Sequence, residues 1–105
     1  MRVRWLRAAL ANLEAEADYI GEDSPAAAGR MVQRIFRAAN LLKKNPAMGR
    51  PGRVAGTREL VVAGTPYILP YRVRGDALEI LRVFHAARRW PEGFQGSGSR
   101  ETRKR

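Results

Sequence analysis

The chain contains no cysteine and a single histidine, His85. Without thiols, disulfides, cysteine nucleophiles and thiolate metal sites are excluded. One imidazole leaves too few nitrogen ligands for a usual zinc site, so neither a metal nor a cofactor is expected. Acidic residues are scarce as well: ten Asp and Glu stand against twenty Lys and Arg, a net charge of +10. No run approaches the roughly 18 apolar residues that a membrane span needs. Behind Met1-Arg2-Val3-Arg4-Trp5 there is no apolar signal segment. The expectation is a soluble cytoplasmic protein with no membrane partner. Aromatic residues are only 8% of the chain, too few for the interleaved surface aromatics on which single-stranded nucleic acid stacks.

What is present is positive charge on a chain of one-domain size. At 105 residues the protein can bury about two-thirds of its unfolded surface, enough for a core without staples. A small, strongly cationic domain attracts polyanions: nucleic acid, a ribosome, a membrane surface or an acidic protein. The plainer reading is a solvated basic surface. Acids cluster at Glu14, Glu16, Asp18, Glu22 and Asp23, and nearly everything after Arg30 is basic. That acidic run reads as a solvated helix face.

Residues 2–5 alternate, with Val3 and Trp5 on one side and Arg2 and Arg4 on the other, which is the period of a short strand. From about Arg7 the spacing of Leu10, Leu13, Ala17 and Ile20 is helical, and Gly21 is expected as a left-handed C-terminal residue. Ser24-Pro25 reads as an N-cap followed by proline in the first turn. The second helix carries Ala28, Met31, Val32, Ile35, Phe36, Ala39 and Leu42 and stops at Lys43-Lys44-Asn45-Pro46. Residues 45–57 form a loop rich in Gly and Pro. Strands follow over Arg58–Val62, Tyr67–Val73 and Ala77–Phe84, joined by short turns and hence antiparallel. In the last of them Leu78, Ile80 and Arg82 are expected to point one way and Glu79, Leu81 and Val83 the other. Pro70 cannot donate to a ladder, so a bulge or a missing partner is expected on its side. The order β-α-α-β-β-β implies an α+β two-layer sandwich, a helical hairpin on a small, mostly antiparallel sheet. One domain is expected over residues 1–92. The Gly/Ser/Arg stretch at 93–105 has too little apolar surface to order alone.

With these elements in place the sequence resembles the RelE/ParE toxin superfamily over about residues 2–91. The likeness rests on Tyr19-Ile20, Pro25-Ala26-Ala27-Ala28, Asn45-Pro46-Ala47-Met48-Gly49-Arg50, Thr57-Arg58-Glu59-Leu60, Tyr67-Ile68 with Tyr71-Arg72-Val73, and Ile80-Leu81-Arg82-Val83-Phe84-His85 with Arg88 and Trp90. No piece is specific alone; six in this order are. The resemblance implies the toxin of a type II toxin–antitoxin module. Its partner would be a small acidic, ParD-like antitoxin in a hetero-oligomer. The antitoxin's apolar C-terminal segment would fill a groove between helices and sheet. Candidate groove residues are Leu13, Ile20, Met31, Ile35, Phe36, Leu42, Tyr67 and Tyr71.

The superfamily divides between RelE-like members, which cleave ribosome-bound mRNA, and ParE-like members, which are reported to poison DNA gyrase. RNA cleavage needs a base, an acid and cations for the phosphorane charge. RelE-like nucleases resemble one another in a Tyr-Arg-Leu-x-Tyr run, where this chain has Tyr67-Ile68-Leu69-Pro70-Tyr71. They often carry a late tyrosine or histidine as acid, and no tyrosine follows Tyr71 here. The leading expectation is therefore a non-enzymatic, ParE-like gyrase inhibitor. Its target-binding candidates are Arg58, Arg82, His85, Arg88, Arg89 and Trp90. The alternative is a ribosome-dependent mRNA endoribonuclease using His85 with Arg58, Arg82 and Arg88, since a histidine ringed by arginines could act on a phosphodiester. The plainer reading of His85 is a strand-end residue hydrogen-bonded to nearby backbone or to Trp90. A bare nucleic-acid-binding module is a third class. The Gly49-Arg50-Pro51-Gly52-Arg53 run lacks the strand–loop–helix setting of a phosphate loop and reads as a flexible loop.

Overall fold

The computed structural model describes residues 1–87; Arg88, Arg89, Trp90 and the 93–105 stretch lie outside the described residues. Strand β1 spans Arg2–Trp5, with exposed arginines alternating with half-buried Val3 and Trp5. Helix α1 runs Arg7–Gly21 and α2 Pro25–Leu41. At the start of α2 the Ser24 hydroxyl accepts from Ala27 N at 3.1 Å. Pro25 sits in the first turn, where its missing N–H costs nothing.

Gly21 departs from expectation. It is helical, and the cap is Glu22 in right-handed geometry. The link to α2 is so short that the amides of Asp23 and Ser24 fold back onto Ile20 O at 3.1 and 2.9 Å. The end carbonyls of α1 are thereby satisfied without a left-handed residue. Lys43 and Lys44 fall just past α2, in a turn closed on Asn40 O and Leu41 O.

The sheet is mixed, in the order β1, β5 (Ala77–Ile80), β4 (Tyr67–Arg74), β3 (Arg58–Val61) and β2 (Arg50–Pro51). Its long members are β3, β4 and β5. The N-terminal strand β1 runs parallel to β5, with Val3 opposite Leu78 and Trp5 opposite Ile80; all other pairs are antiparallel. Both helices lie on one face, where Ala9, Leu13, Met31, Ile35, Ala39 and Leu42 pack on Leu69, Tyr71, Leu78, Ile80 and Val83. Each leucine, isoleucine, valine or methionine among them contributes about 1.5–3 kcal/mol by leaving water.

The last strand is not continuous. After β5 the chain breaks, then forms β6 (Phe84–His85) on the first half of β4. From Ile80 to Phe84 it advances four residues while β4, from Tyr71 to Ile68, advances three. The bulge lies opposite Pro70. Residues 68, 70 and 72 direct their backbone groups toward this side, as the bond from Leu81 N to Pro70 O at 2.9 Å shows. Pro70 has no N–H to return, so the ladder is weakest there. Asn12 of α1 stabilises the bulge, its Oδ1 accepting from Val83 N at 3.1 Å. The alternation expected over Ala77–Phe84 therefore changes phase, and Val83 joins the core with Leu78 and Ile80.

Residues 45–57 are more ordered than a plain loop. Arg50–Pro51 forms β2 on the edge of β3, with Arg50 opposite Glu59. Tyr71 reaches out of the core to hold the same segment. Its hydroxyl donates to Pro46 O at 2.7 Å and accepts from Gly49 N at 2.9 Å. A Cβ at position 49 would lie 2.6 Å from that hydroxyl and 2.9 Å from Glu59 O, so only glycine fits.

Candidate functional site: a basic-lipped groove along the second helix

Helix α2 buries Ala28, Met31, Ile35 and Ala39 and turns Arg30, Arg34 and Arg37 to solvent. Spaced by four and three, these arginines form one stripe. They overhang a trough between α2 and the β3–β4 hairpin. The trough has two apolar compartments, each of about 400 Å³. In one, Ala38, Leu41, Met48, Leu60 and Val62 line the walls beneath Arg34 and Arg37. In the other, Ile20, Ala27, Met31, Pro66, Tyr67 and His85 do so beneath Arg30 and Arg34. Arg34 belongs to both. Its Nη1 donates to Ala63 O at 3.3 Å. The guanidinium lies across Gly64, whose φ of +76° and missing Cβ make room for it.

His85 forms part of the second compartment's wall. Its ring meets Tyr67 edge-on at 5.4 Å, and the Tyr67 hydroxyl donates to Glu16 Oε1 at 3.0 Å. Ala87 N donates to His85 Nδ1 at 3.2 Å, leaving Nε2 as the other polar atom of the ring. Glu16 thus works inside the fold, while Glu14, Asp18, Glu22 and Asp23 are exposed.

The structure does not bring Arg58 to His85. Arg58 pairs with Tyr71 on one side of β4, and His85 with Tyr67 on the other. Four residues of β4 alone span about 13 Å. Arg58 is instead a loop clamp, its Nη1 donating to Gly49 O at 2.7 Å and Ala47 O at 3.5 Å. The Arg82 Nη1 donates to Leu81 O at 2.9 Å. Of the candidate groove residues, Met31, Ile20 and Tyr67 line the trough. Leu13, Ile35, Leu42 and Tyr71 do not: they are 5%, 0%, 0% and 0% exposed, the three aliphatic residues facing the sheet from the helical hairpin and Tyr71 facing them from β4. Phe36 packs edge-on against Trp5, centroids 4.8 Å apart. The i, i+4, i+7 spacing of Arg30, Arg34 and Arg37 is the sequence signal for this stripe.

Two carboxylates are buried on the other side of the sheet. Glu79 accepts from Arg72 Nε at 2.8 Å and Arg4 Nη1 at 3.1 Å. The Arg72 hydrogen bond, aided by the charges of Arg72, Arg4 and Arg74 against the cost of burial, holds its carboxyl below the usual range. Glu59 lies between Arg50 Nη2 and Arg53 Nε at 3.4 and 3.5 Å, and accepts from Arg53 N at 3.0 Å. An internal carboxylate thus engages both arginines of the Gly49–Arg53 run, while the Gly49 and Gly52 amides donate to the Tyr71 hydroxyl and Thr57 O. Among the described residues no three His, Asp or Glu side chains cluster as a metal site, and no helix is long and apolar enough to cross a membrane.

A helical hairpin packed on a mixed sheet, with a basic-lipped groove along α2, has the architecture of a toxin–antitoxin toxin. The family model describing the ParE toxin of the type II toxin–antitoxin system, parDE, matches residues 3–90. The protein Y4kP of Sinorhizobium fredii is 50% identical over 91 residues, covering 87% of this chain and 94% of its own. Toxin RelE2 of Caulobacter vibrioides is 46% identical over 87 residues, covering 83% and 97%. A solved structure of the chromosomal ParDE TA system from P. aeruginosa superposes with a TM-score of 0.74 at 35% identity, covering 81% of this chain and 95% of that one. The chain belongs to the ParE toxin family of type II toxin–antitoxin systems.

Proposed function

We propose that this toxin acts as a ParE-like inhibitor of DNA gyrase, without catalysis of its own, and is silenced by an acidic ParD-like antitoxin seated in the α2 groove. The observation that carries the non-catalytic reading is the separation of Arg58 from His85. Acid–base cleavage of RNA needs its cations and its proton donor around one phosphodiester. Here Arg58 is spent on loop carbonyls, and His85 Nδ1 on a backbone amide. The apolar Ile68 of β4, buried at 6% exposure, supplies no replacement cation. Silencing by an acidic partner is supported by the arginine lip over an apolar floor, which suits a segment bearing both carboxylates and apolar side chains.

The test uses the toxin freed from its antitoxin in two parallel assays, gyrase supercoiling with DNA cleavage, and mRNA integrity in a translating extract. Blocked supercoiling or trapped cleaved DNA with intact mRNA is expected, and His85→Ala should remain toxic. Cleaved mRNA with untouched gyrase, abolished by His85→Ala, would overturn the reading in favour of a ribosome-dependent endoribonuclease.

A further inference from the structure

The two compartments of the groove repeat along α2 with a period of seven. One is lined from the helix by Ala27, Arg30, Met31 and Arg34; the other by Arg34, Arg37, Ala38 and Leu41. Each member of the second set lies seven positions after its counterpart in the first. At 1.5 Å per residue the compartments are about 10.5 Å apart along the axis. Arg34 closes one set and opens the other, and its guanidinium crosses the trough to the Ala63 carbonyl.

We infer that the groove is built for one acidic amphipathic α-helix of the antitoxin, carrying apolar anchors at i and i+7 and a carboxylate at i+3 or i+4 that pairs with Arg34. This inference rests on the antitoxin-seat reading above and adds the motif that the seat reads. An extended segment fits poorly. Its same-face side chains recur at about 6.8 Å, or 13.6 Å for every second one, and neither matches 10.5 Å. On a helix, i and i+7 are about 10.5 Å apart on one face, with i+3 and i+4 between them. Charge fixes the register: Arg30 and Arg37 flank the groove while Arg34 stands at its midpoint, so a carboxylate there meets a cation whichever end the helix enters from. Arg34 is a specificity-determining residue, dividing one trough into two pockets of defined separation.

The experiment uses the full chain and fluorescent, side-chain-stapled acidic helices of equal composition, with two leucines four, seven or eleven residues apart. A glutamate lies at i+4 of the seven-residue peptide. Anisotropy titration is expected to rank the seven-residue spacing about tenfold tighter than the other two, since a misplaced anchor leaves one pocket unfilled. Arg34→Glu should weaken that peptide about five- to tenfold, and replacing its glutamate by lysine should restore binding to Arg34→Glu alone. This charge exchange separates pairing from a general loss of fold; Lys43→Ala, outside the groove, should change nothing. Equal binding of the three spacings, or no rescue by the exchange, overturns the inference. So does concentration-dependent self-association that Arg34→Glu abolishes, which would assign the groove to a second copy. The gyrase and mRNA assays need no peptide, so their outcome stands apart: a toxin that blocks gyrase yet ignores peptide spacing refutes the motif and leaves the proposed function intact.

Discussion

Tyr71→Phe removes one oxygen and tests how the 45–57 segment is held. The phenol is fully buried, yet it carries two hydrogen bonds, to Pro46 O and from Gly49 N. Phenylalanine keeps the ring and its packing while leaving a buried amide and a part-buried carbonyl without partners. A buried polar group left unsatisfied costs about 1–3 kcal/mol. Arg58 still holds Gly49 O, so the segment stays attached and the two groups cannot simply move into water. A loss of about 2–3 kcal/mol follows from two such groups, a large share of the roughly 5–15 kcal/mol typical of a domain. In urea, with a slope near 1 kcal/mol per molar, the unfolding midpoint should fall by about 2 M with the slope unchanged. There is also a signature in pH. Burial pushes the Tyr71 phenol above its ordinary 10.0, with the Gly49 hydrogen bond and the Arg58 charge pulling the other way. A group raised on folding stabilises the fold below its unfolded value, and that contribution disappears as pH rises through the folded value. The Phe variant should lack this component of the alkaline decline. A midpoint change equivalent to less than about 0.5 kcal/mol would mean the phenol bonds are replaced by water at no cost, and would refute the clamp.

Glu79→Gln probes the other side of the sheet. Its carboxyl is held below the usual value, so its contribution is present above the unfolded value and is lost as pH falls through the folded one. The variant should be less stable than the parent at pH 7, with the gap closing as unfolding curves are taken down to pH 3; a constant gap would contradict the ion-pair account. Asn12→Ala removes the acceptor for Val83 N and should cost about 1 kcal/mol, read as a melting temperature lower by about 4–8 °C. An unchanged melt would show that the bulge amide finds water instead. Gly64→Ala forces a side chain into a left-handed position, costing about 1–2 kcal/mol, and displaces Arg34. It should therefore weaken seven-spaced helix binding in the same direction as Arg34→Glu, and unchanged binding would show that the turn does not set Arg34.

The period-three-to-four and period-two patterns were enough for both helices, the antiparallel meander and the Ser24-Pro25 start of α2, because each depends on local spacing, whereas the parallel pairing of β1 with β5 joins the two ends of the chain and has no local signal. What stayed hidden depends on contacts across the chain. Gly21 looked like a left-handed cap because glycine tolerates that geometry, but the tight return to Ser24 removed the need for it. Pro70 announced a defect without saying which strand would absorb it, and the partner strand did. Tyr71 and Glu59 sit in ordinary strand patterns, and only the folded 45–57 segment reveals what their polar atoms do. At the site, His85 stands out in the sequence as the lone imidazole, whereas Arg30, Arg34 and Arg37 are three among twenty basic residues. Their role depends on the β3–β4 hairpin lying beneath them, a long-range fact that helical spacing cannot supply.

The bulge opposite Pro70 acts as a parity element. Side chains on a strand alternate strictly, so the one extra residue between Ile80 and Phe84 exchanges inside for outside in everything that follows. It places His85 beside Tyr67 in the groove wall and turns Phe84, with Ile68, to the opposite surface. Deleting one residue from 81–83 would absorb the bulge into a regular ladder, leaving Phe84 opposite Ile68 and His85 opposite Tyr67. Deleting two would leave too few residues for that register and invert both, emptying the groove wall of its imidazole and presenting a phenylalanine there instead. The length of this segment therefore constrains the groove as firmly as the identity of any residue lining it, with the bulge as its one residue of slack.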